Sequence, residues 1–203
     1  DQYAREDDRI KVLHIENGGQ SRARNIGVKE ASSDWIMFLD SDDYYDLRAV
    51  EYLVDLRDKY DVDLVVTSII EVRDHKINSV GESFSLENSK KLDKDEALVQ
   101  MFYGNSIGTS PGGKLYKKDI LLKYPYPEGM IYEDLAIAYE HIAAGREIAV
   151  GFIHLYKYYR RPGSTVNAAY STKLLDFYKA MDCNRSYVKR DFSTNQEMLR
   201  ALN

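Results

Sequence analysis

Short apolar runs alternate with helical segments over the first 70 residues, and this alternation restricts the fold more than any other feature of the sequence. The apolar runs, at residues 10–15, 35–39 and 63–70, have the length and continuity of buried strands. The segments between them, at 21–31 and 47–60, carry apolar residues at helical spacing. This order is typical of an open, mostly parallel sheet covered by helices. The sequence therefore predicts an α/β fold.

The rest of the chain continues this pattern with less regular spacing. Further strands are predicted at 114–116 and 148–159, and further helices at 93–103, 117–124, 132–144 and 174–190. Glycines and a proline mark residues 104–113 as a loop. We expect one domain over residues 1–170 and a C-terminal helical extension over 171–203.

Charge and composition exclude several classes of protein. Hydrophobic residues make up 44% of the chain, which is enough for a sizeable core. A formal net charge of -5 disfavours a nucleic-acid partner, because proteins that bind phosphate backbones are usually basic. Cys183 is the single cysteine, which favours a reducing compartment. No apolar run in the sequence approaches the roughly 18–20 residues of a membrane span. We expect a cytoplasmic location, with the inner face of the membrane left open.

An acidic cluster directly follows the second apolar run. Asp40 and Asp42 are two residues apart, so their side chains point to one face if strand geometry continues. Ligands in open α/β sheets bind at the carboxyl ends of strands. Two neighbouring carboxylates repel each other by roughly 1–4 kcal/mol, and a divalent cation relieves that repulsion. Hard oxygen ligands suit Mg²⁺ or Mn²⁺.

The acidic cluster allows two other interpretations. The cluster can form a solvated turn that caps the following helix through Asp43 or Asp46. A calcium-binding EF-hand loop that begins at Asp40 needs a glycine at its sixth position, where Tyr45 stands. The EF-hand interpretation is therefore excluded, and the cap and the metal site stay open.

Three segments form a recognisable set: residues 17–27 read N-G-G-Q-S-R-A-R-N-I-G, residues 38–43 read F-L-D-S-D-D, and residues 132–135 read Y-E-D-L. Together they resemble the family 2 glycosyltransferases, whose fold is the GT-A (Rossmann-like) nucleotide-sugar domain. Shorter segments at 114–116 and 156–164 also resemble recurrent family segments. The resemblance implies a mixed, mostly parallel sheet flanked by helices.

The resemblance also implies chemical roles. Asp134 would be the general base that deprotonates an acceptor hydroxyl, and Glu133 would orient the acceptor or the base. Asp42, together with Asp40, would hold a Mn²⁺ or Mg²⁺ ion that bridges the diphosphate of the donor. His154 was considered as a further metal ligand, although a lone histidine in a strand is more often structural.

The donor-binding residues implied by the resemblance are Asn17, Gly19, Arg24, Asp40 and Arg161. The loop that contains Gly19 would lie beside the nucleoside, and Asp40 would lie near the ribose. Arg161 could pair with the diphosphate through two hydrogen bonds. Arg24 lies inside a predicted helix, so pairing with a carboxylate and contact with the donor are both left open.

The function implied is inverting, metal-dependent transfer of a sugar, with UDP-sugar as the expected donor. The acceptor would be a hydroxyl of a carbohydrate or of a lipid-linked molecule, in polysaccharide or glycoconjugate synthesis. A non-catalytic carbohydrate-binding or scaffold domain and a nucleotidyltransferase are the alternatives. Peripheral membrane association and homo-oligomerisation are left open.

One part of the family pattern has no counterpart in this sequence. Family members open with a strand that ends in P-x-Y-N, a helix, and a strand that ends in D-D-G-S. Neither motif occurs before Asp1. We therefore expect the domain to be incomplete at its N-terminus.

Overall fold

A computed structural model describes residues 1–72, 84–160 and 172–202. The strands are β1 (Trp35–Ile36), β2 (Tyr44–Tyr45), β3 (Leu64–Val72), β4 (Ser89–Asp93), β5 (Lys114–Lys117) and β6 (Glu147–Tyr159). The α-helices are α1 (Gln2–Glu6), α2 (Gly19–Glu30), α3 (Ala49–Tyr60), α4 (Lys94–Phe102), α5 (Lys118–Lys123), α6 (Glu133–Gly145), α7 (Asp176–Asp191) and α8 (Gln196–Ala201). Short 3₁₀ helices lie at Leu86–Asn88 and Thr172–Leu175.

The six strands form one mixed sheet in the order β1-β5-β3-β6-β2, with β4 also paired to β6. Within the described residues, β3 and β6 run parallel and every other pairing is antiparallel. The predicted mixed α/β sheet is confirmed, but the predicted predominance of parallel strands is wrong. The reason is that β5, β4 and β2 return along the edges of the single parallel pair.

The core lies on both faces of β3 and β6. Side chains alternate along β3, so that Leu64 and Val66 pack on one face and Val65 packs on the other. The first face is covered by α4, α6 and the C-terminal helices, and the second face is covered by α3. Val188 of α7 and Met198 of α8 are fully buried in the first cluster. The predicted C-terminal helices therefore complete the core of the domain.

Two of the predicted strands differ in the structure. Residues 10–15 form no strand, and the side chains of Ile10, Val12, Leu13 and Ile15 are between 39% and 43% exposed. A strand requires backbone partners, and no described strand pairs with this segment. The predicted central strand at 35–39 is a two-residue strand at the end of the sheet order.

The helices agree better with the sequence. Helix α4 confirms the helix predicted at 93–103, and Asp93 caps it through a capping box that includes Glu96. Helix α2 begins earlier than expected, because Gly18 and not Ser21 is its N-cap residue. Strand β4 was not predicted, since its sequence S-K-K-L-D lacks a clear apolar alternation. No helix within the described ranges has the length and apolar character needed to cross a bilayer.

Candidate active site

The acidic residues 40–43 form a tight turn, here called the acidic turn. The Asp43 backbone N–H donates to the Asp40 carbonyl at 3.0 Å. The Asp43 carboxylate accepts from the Tyr156 hydroxyl at 2.6 Å and from the Tyr159 backbone N–H at 2.9 Å. The interpretation of Asp43 as a helix cap is therefore wrong, because both of its oxygens bind β6. Burial raises the pKa of the Asp43 carboxyl, and the hydrogen bond from Tyr156 opposes that shift.

Two tyrosines, Tyr156 and Tyr45, connect the acidic turn to β6 and to the loop before β5 through hydrogen bonds. Tyr156 accepts a hydrogen bond from the Asp40 backbone N–H at 3.2 Å, in addition to donating to Asp43. Its ring meets the Tyr45 ring edge to face, with centroids 4.9 Å apart. The Tyr45 hydroxyl donates to the Phe38 carbonyl and accepts from the Gly113 backbone N–H at 2.9 Å. The position of the acidic turn is thus set by β6 and by the loop before β5.

The carboxylates of the acidic turn fit a hard cation with few protein ligands. Asp40 and Asp42 are half-buried, and one Asp40 oxygen lies 3.0 Å from the guanidinium of Arg24. No group of three or more histidine, cysteine or acidic side chains among the described residues is arranged to hold a metal. His154 accordingly belongs to no such group. Mg²⁺ and Mn²⁺ often bind through one or two carboxylates plus substrate phosphates, and this donor set fits that mode.

Arg24 joins the acidic turn to the start of α6. Its guanidinium donates to Asp40 at 3.0 and 3.3 Å and to the Glu133 Oε1 atom at 2.8 Å. Arg24 is 9% exposed and Glu133 is 2% exposed. Burial lowers the pKa of Arg24, but the hydrogen bond to Asp40 and the negative charges of Asp40 and Glu133 together outweigh it, so the pKa is raised and the guanidinium stays charged. The structure thus shows the carboxylate pairing considered for Arg24, and donor contact stays a prediction.

Glu133 turns its carboxylate toward α2. Its Oε1 atom accepts from the amide of Gln20 as well as from Arg24. Its Oε2 atom is buried and has no hydrogen-bond partner among the described residues. Gln20 was not singled out in the sequence, because a glutamine in a helix carries no spacing signal. These contacts bind the start of α6 to α2, and the predicted role of Glu133 in orienting the acceptor or the base stays a prediction.

Asp134 stands in the first turn of α6, where the helix dipole stabilises a negative charge. Its Oδ1 atom accepts from the Leu135 backbone N–H at 2.8 Å, and the side chain is half-buried. Tyr132, the N-cap residue, has a left-handed backbone with φ +63°. Such a conformation is unfavourable for a tyrosine and is held only where the surroundings fix it. The entry to α6 is therefore a constrained turn directly before the two acids.

The loop before α6 is fixed to α2 by Asn25. The Asn25 amide donates to the Tyr126 carbonyl at 2.8 Å, and its oxygen accepts from the Tyr126 backbone N–H at 2.9 Å. The Arg24 guanidinium lies over the Tyr126 ring, 5.4 Å from its centroid. Helix α2 thereby positions both the acidic turn and the α6 entrance.

Two of the remaining predicted donor residues, Asn17 and Gly19, lie at or just before the beginning of α2. Gly19 has φ +80°, which favours glycine, and its backbone N–H donates to the Asn17 side chain at 3.2 Å. Asn17 is exposed. Arg161 lies outside the described residues. An open groove of about 490 Å³ runs between α2 and residues 35–41, and its polar side chains are Gln20, Arg24, Asp40 and Ser41.

Lys114 is a charged residue that sequence reasoning did not select. It is 3% exposed on β5, and its Nζ atom donates to the carbonyls of Gly108, at 2.7 Å, and Ser110. Burial lowers its pKa to about 7, and the negative charge of Asp134 opposes that shift. The sequence signal that could have identified it is a lysine at the start of a short predicted strand, directly before Leu115 and Tyr116.

The chain belongs to glycosyl transferase family 2, since the model of that family matches residues 1–124. Glycosyltransferase GlyG of Streptococcus pneumoniae is 26% identical over 179 residues, which are 84% of this chain and 58% of GlyG. EpsJ of Bacillus subtilis, an uncharacterized glycosyltransferase, is 40% identical over 99 residues, which are 49% of this chain and 28% of EpsJ. The chain thus spans less than two thirds of each of these relatives.

The fold is confirmed by a solved structure. Residues 1–349 of S. aureus TarS in complex with UDP-GlcNAc align with a TM-score of 0.70 and 22% identity, over 94% of this chain and 54% of that chain. At this identity the likeness establishes the fold. The expected membership in family 2 and the expected α/β fold are both confirmed.

Proposed function

We propose that this chain carries the catalytic site of an inverting glycosyltransferase that uses a nucleotide-diphosphate sugar, with UDP-sugar as donor. The observation that carries the proposal is the placement of Arg24, which bonds both Asp40 of the acidic turn and Glu133 beside Asp134. This link supports the proposal that the acidic turn, which would hold a diphosphate-bound metal, and Asp134, which would accept the proton, serve one site. The complex of TarS with UDP-GlcNAc supports the choice of donor.

Asp42 and Asp40 are the residues that would hold Mn²⁺ or Mg²⁺. The ion would stabilise the negative charge that develops on the leaving diphosphate. Asp42 is proposed as the principal ligand and Asp40 as the second, as the family resemblance implies. The hydrogen bond from Tyr156 to Asp43 would stabilise the conformation of the acidic turn.

Asp134 would take the proton of the acceptor hydroxyl. Its Oδ1 atom is occupied by the Leu135 backbone N–H, so Oδ2 is the oxygen expected to accept that proton. The hydroxyl oxygen would form a bond to the anomeric carbon, and the bond from that carbon to the diphosphate oxygen would break. Glu133, fixed by Arg24 and Gln20, would hold the first turn of α6 in place.

The acceptor is proposed to be a hydroxyl of a carbohydrate or a lipid-linked molecule, in polysaccharide or glycoconjugate synthesis. A cytoplasmic location at the inner face of the membrane would suit such an acceptor. Peripheral membrane association and homo-oligomerisation belong to the same proposal.

The test replaces Asp134 with Asn and measures UDP binding and sugar transfer in the same preparation. We expect nearly unchanged UDP affinity and at least about a hundredfold slower transfer, since asparagine cannot accept the proton. Asp119→Asn is the matched control, because Asp119 is also an acid in the first turn of a helix. Wild-type transfer by the Asp134 variant would remove Asp134 from the mechanism. UDP binding without transfer by the wild-type protein, across a panel of acceptors, would instead support a non-catalytic binding domain.

A further inference from the structure

Helix α7 binds the backbone on both sides of the acid pair at the start of α6. In the first turn of α7, the Asp176 Oδ2 atom accepts a hydrogen bond from the Ile131 backbone N–H at 3.2 Å. About two turns further along, the Asn184 side chain donates to the Leu135 carbonyl at 3.0 Å. Ile131 lies two residues before the acid pair, and Leu135 directly follows Asp134. The acid pair is therefore enclosed between two contacts to one helix.

The two polar side chains that α7 contributes are withdrawn from water. Asp176 is 6% exposed and Asn184 is fully buried. Polar groups in such positions stabilise the protein only through their hydrogen bonds, so the loss of a partner is costly. Lys179, whose side chain is largely exposed, pairs with the other oxygen of Asp176 at 2.6 Å. The Asp176 carboxylate thus has one partner at the surface and one at the entrance of α6.

The turn that lies between these two contacts needs support from its surroundings. Tyr132 has a left-handed backbone with φ +63°, which is unfavourable for a tyrosine. Asp176 holds the residue before it, and the Phe177 ring meets the Tyr132 ring edge to face, with centroids 5.6 Å apart. Two consecutive residues of α7 thus fix the two residues that precede Glu133. Loss of these contacts would let Tyr132 relax toward a more common backbone conformation, and the first turn of α6 would move with it.

We propose that Asp176 and Asn184 are positioning residues for sugar transfer, because they fix the backbone on either side of Asp134 and thereby the direction in which its carboxylate is presented. This inference rests on the proposed role of Asp134 as base. Leu135 connects Asn184 with the base, since its carbonyl accepts from Asn184 and its backbone N–H donates to the Asp134 Oδ1 atom at 2.8 Å. Neither side chain of α7 exchanges an atom with the substrates.

The experiment compares Asp176→Ala, which removes the acceptor for the Ile131 N–H, with Asp176→Asn, which keeps a side-chain oxygen for it. Asp176→Ala should lower kcat by about 10- to 100-fold at unchanged UDP affinity, since small misplacements of a reacting group have effects of this size. Asp176→Asn should recover most of that loss, and Asn184→Ala should lower kcat in the same way. Lys179→Met is the matched control, because it removes the ion pair with Asp176 and leaves the bond to Ile131, so its kcat should be that of the wild type. Thermal melts set an assay temperature at which every variant is folded.

A double variant tests whether the effect passes through Asp134. Asp176→Ala should slow Asp134→Asn no further, because the base that Asp176 positions is already absent. Multiplied losses in the double variant would overturn the positioning role and leave the proposed function standing. Wild-type kcat in folded Asp176→Ala and Asn184→Ala, with lowered melting temperatures, would do the same, since these contacts would then serve stability alone. Wild-type transfer by Asp134→Asn would overturn both the proposed function and this inference.

Discussion

Replacing Arg24 with Met should destabilise the protein far more than the loss of an ordinary ion pair. Within the part of the chain that the structure describes, Arg24 is the cation that pairs with the carboxylate of Glu133, which is 2% exposed. The substitution keeps most of the side-chain volume but leaves the Glu133 carboxylate buried without a cation. Removing one partner of a buried ion pair typically costs about 3–5 kcal/mol.

The second partner of Arg24 adds little to this estimate. The Asp40 side chain is 43% exposed, so water can solvate its carboxylate once Arg24 is gone. Most of the loss should therefore come from Glu133. For a chain of this size the expected fall in melting temperature is roughly 6–20 °C.

Urea denaturation of four proteins would measure this effect: the wild type, Arg24→Met, Arg24→Met with Glu133→Gln, and Arg48→Met. The double variant removes the buried charge and keeps an acceptor for Gln20, so it should recover at least about half of the lost stability. Arg48 pairs with Glu51 at the surface, with both side chains more than half exposed, and its loss should cost less than about 1 kcal/mol. Equal, small losses for Arg24→Met and Arg48→Met would refute the reasoning.

Three further predictions concern the metal, the pH and the packing of the site. Asp42→Ala should abolish the part of the UDP affinity that depends on Mn²⁺, measured by calorimetric titration with and without the ion. The wild type should lose stability as the pH falls from 6.5 toward 4, because His141 takes up a proton at a higher pH in the unfolded chain than in the folded protein. At pH 5 the loss in the free energy of unfolding is about 2 kcal/mol. The His141→Gln variant should not show this loss. Gly112→Ala should displace Tyr156, since the added carbon would lie 2.6 Å from its ring, and should weaken UDP binding.

Each of these predictions has an internal comparison. Asp34→Ala removes an exposed acid near the same segment and should leave the Mn²⁺ dependence intact. Gly108→Ala adds a carbon that meets no atom within 4 Å, so it should be tolerated. Equal acid sensitivity in His141→Gln and the wild type would assign the pH effect to other groups. Equal UDP affinity in Gly112→Ala and Gly108→Ala would show that Tyr156 tolerates displacement.

Motifs and periodicity located the elements that carry the site, because these signals are local. The acidic turn and the Glu133–Asp134 pair stand directly beside predicted element boundaries, and the structure places them there. The segment 10–15 shows the limit of such signals. Its apolar run has the length of a strand, but a run of residues does not reveal whether a partner strand exists.

The connections within the site could not be predicted, because they join distant positions. Arg24 lies 16 residues from Asp40 and 109 residues from Glu133, and helical spacing says nothing about such pairs. Lys114 is similar: its carbonyl partners lie 4 and 6 residues away, but its burial depends on the pairing of β5 with the distant strand β3. Composition and spacing identify chemical groups, and tertiary packing determines which of them meet.

The hydrogen bonds to Asp43 also limit when the acidic turn can form during folding, because both of their donors lie on β6. They join residues 113 and 116 positions apart, and contacts of such separation form slowly because a long loop must close first. The acidic turn can therefore adopt its final shape only after β6 has docked beside β3. In a partly folded chain the same carboxylates are present, but they are not held in the geometry of the acidic turn. If the acidic turn binds the nucleotide as proposed, binding would favour molecules in which the turn is already held by β6.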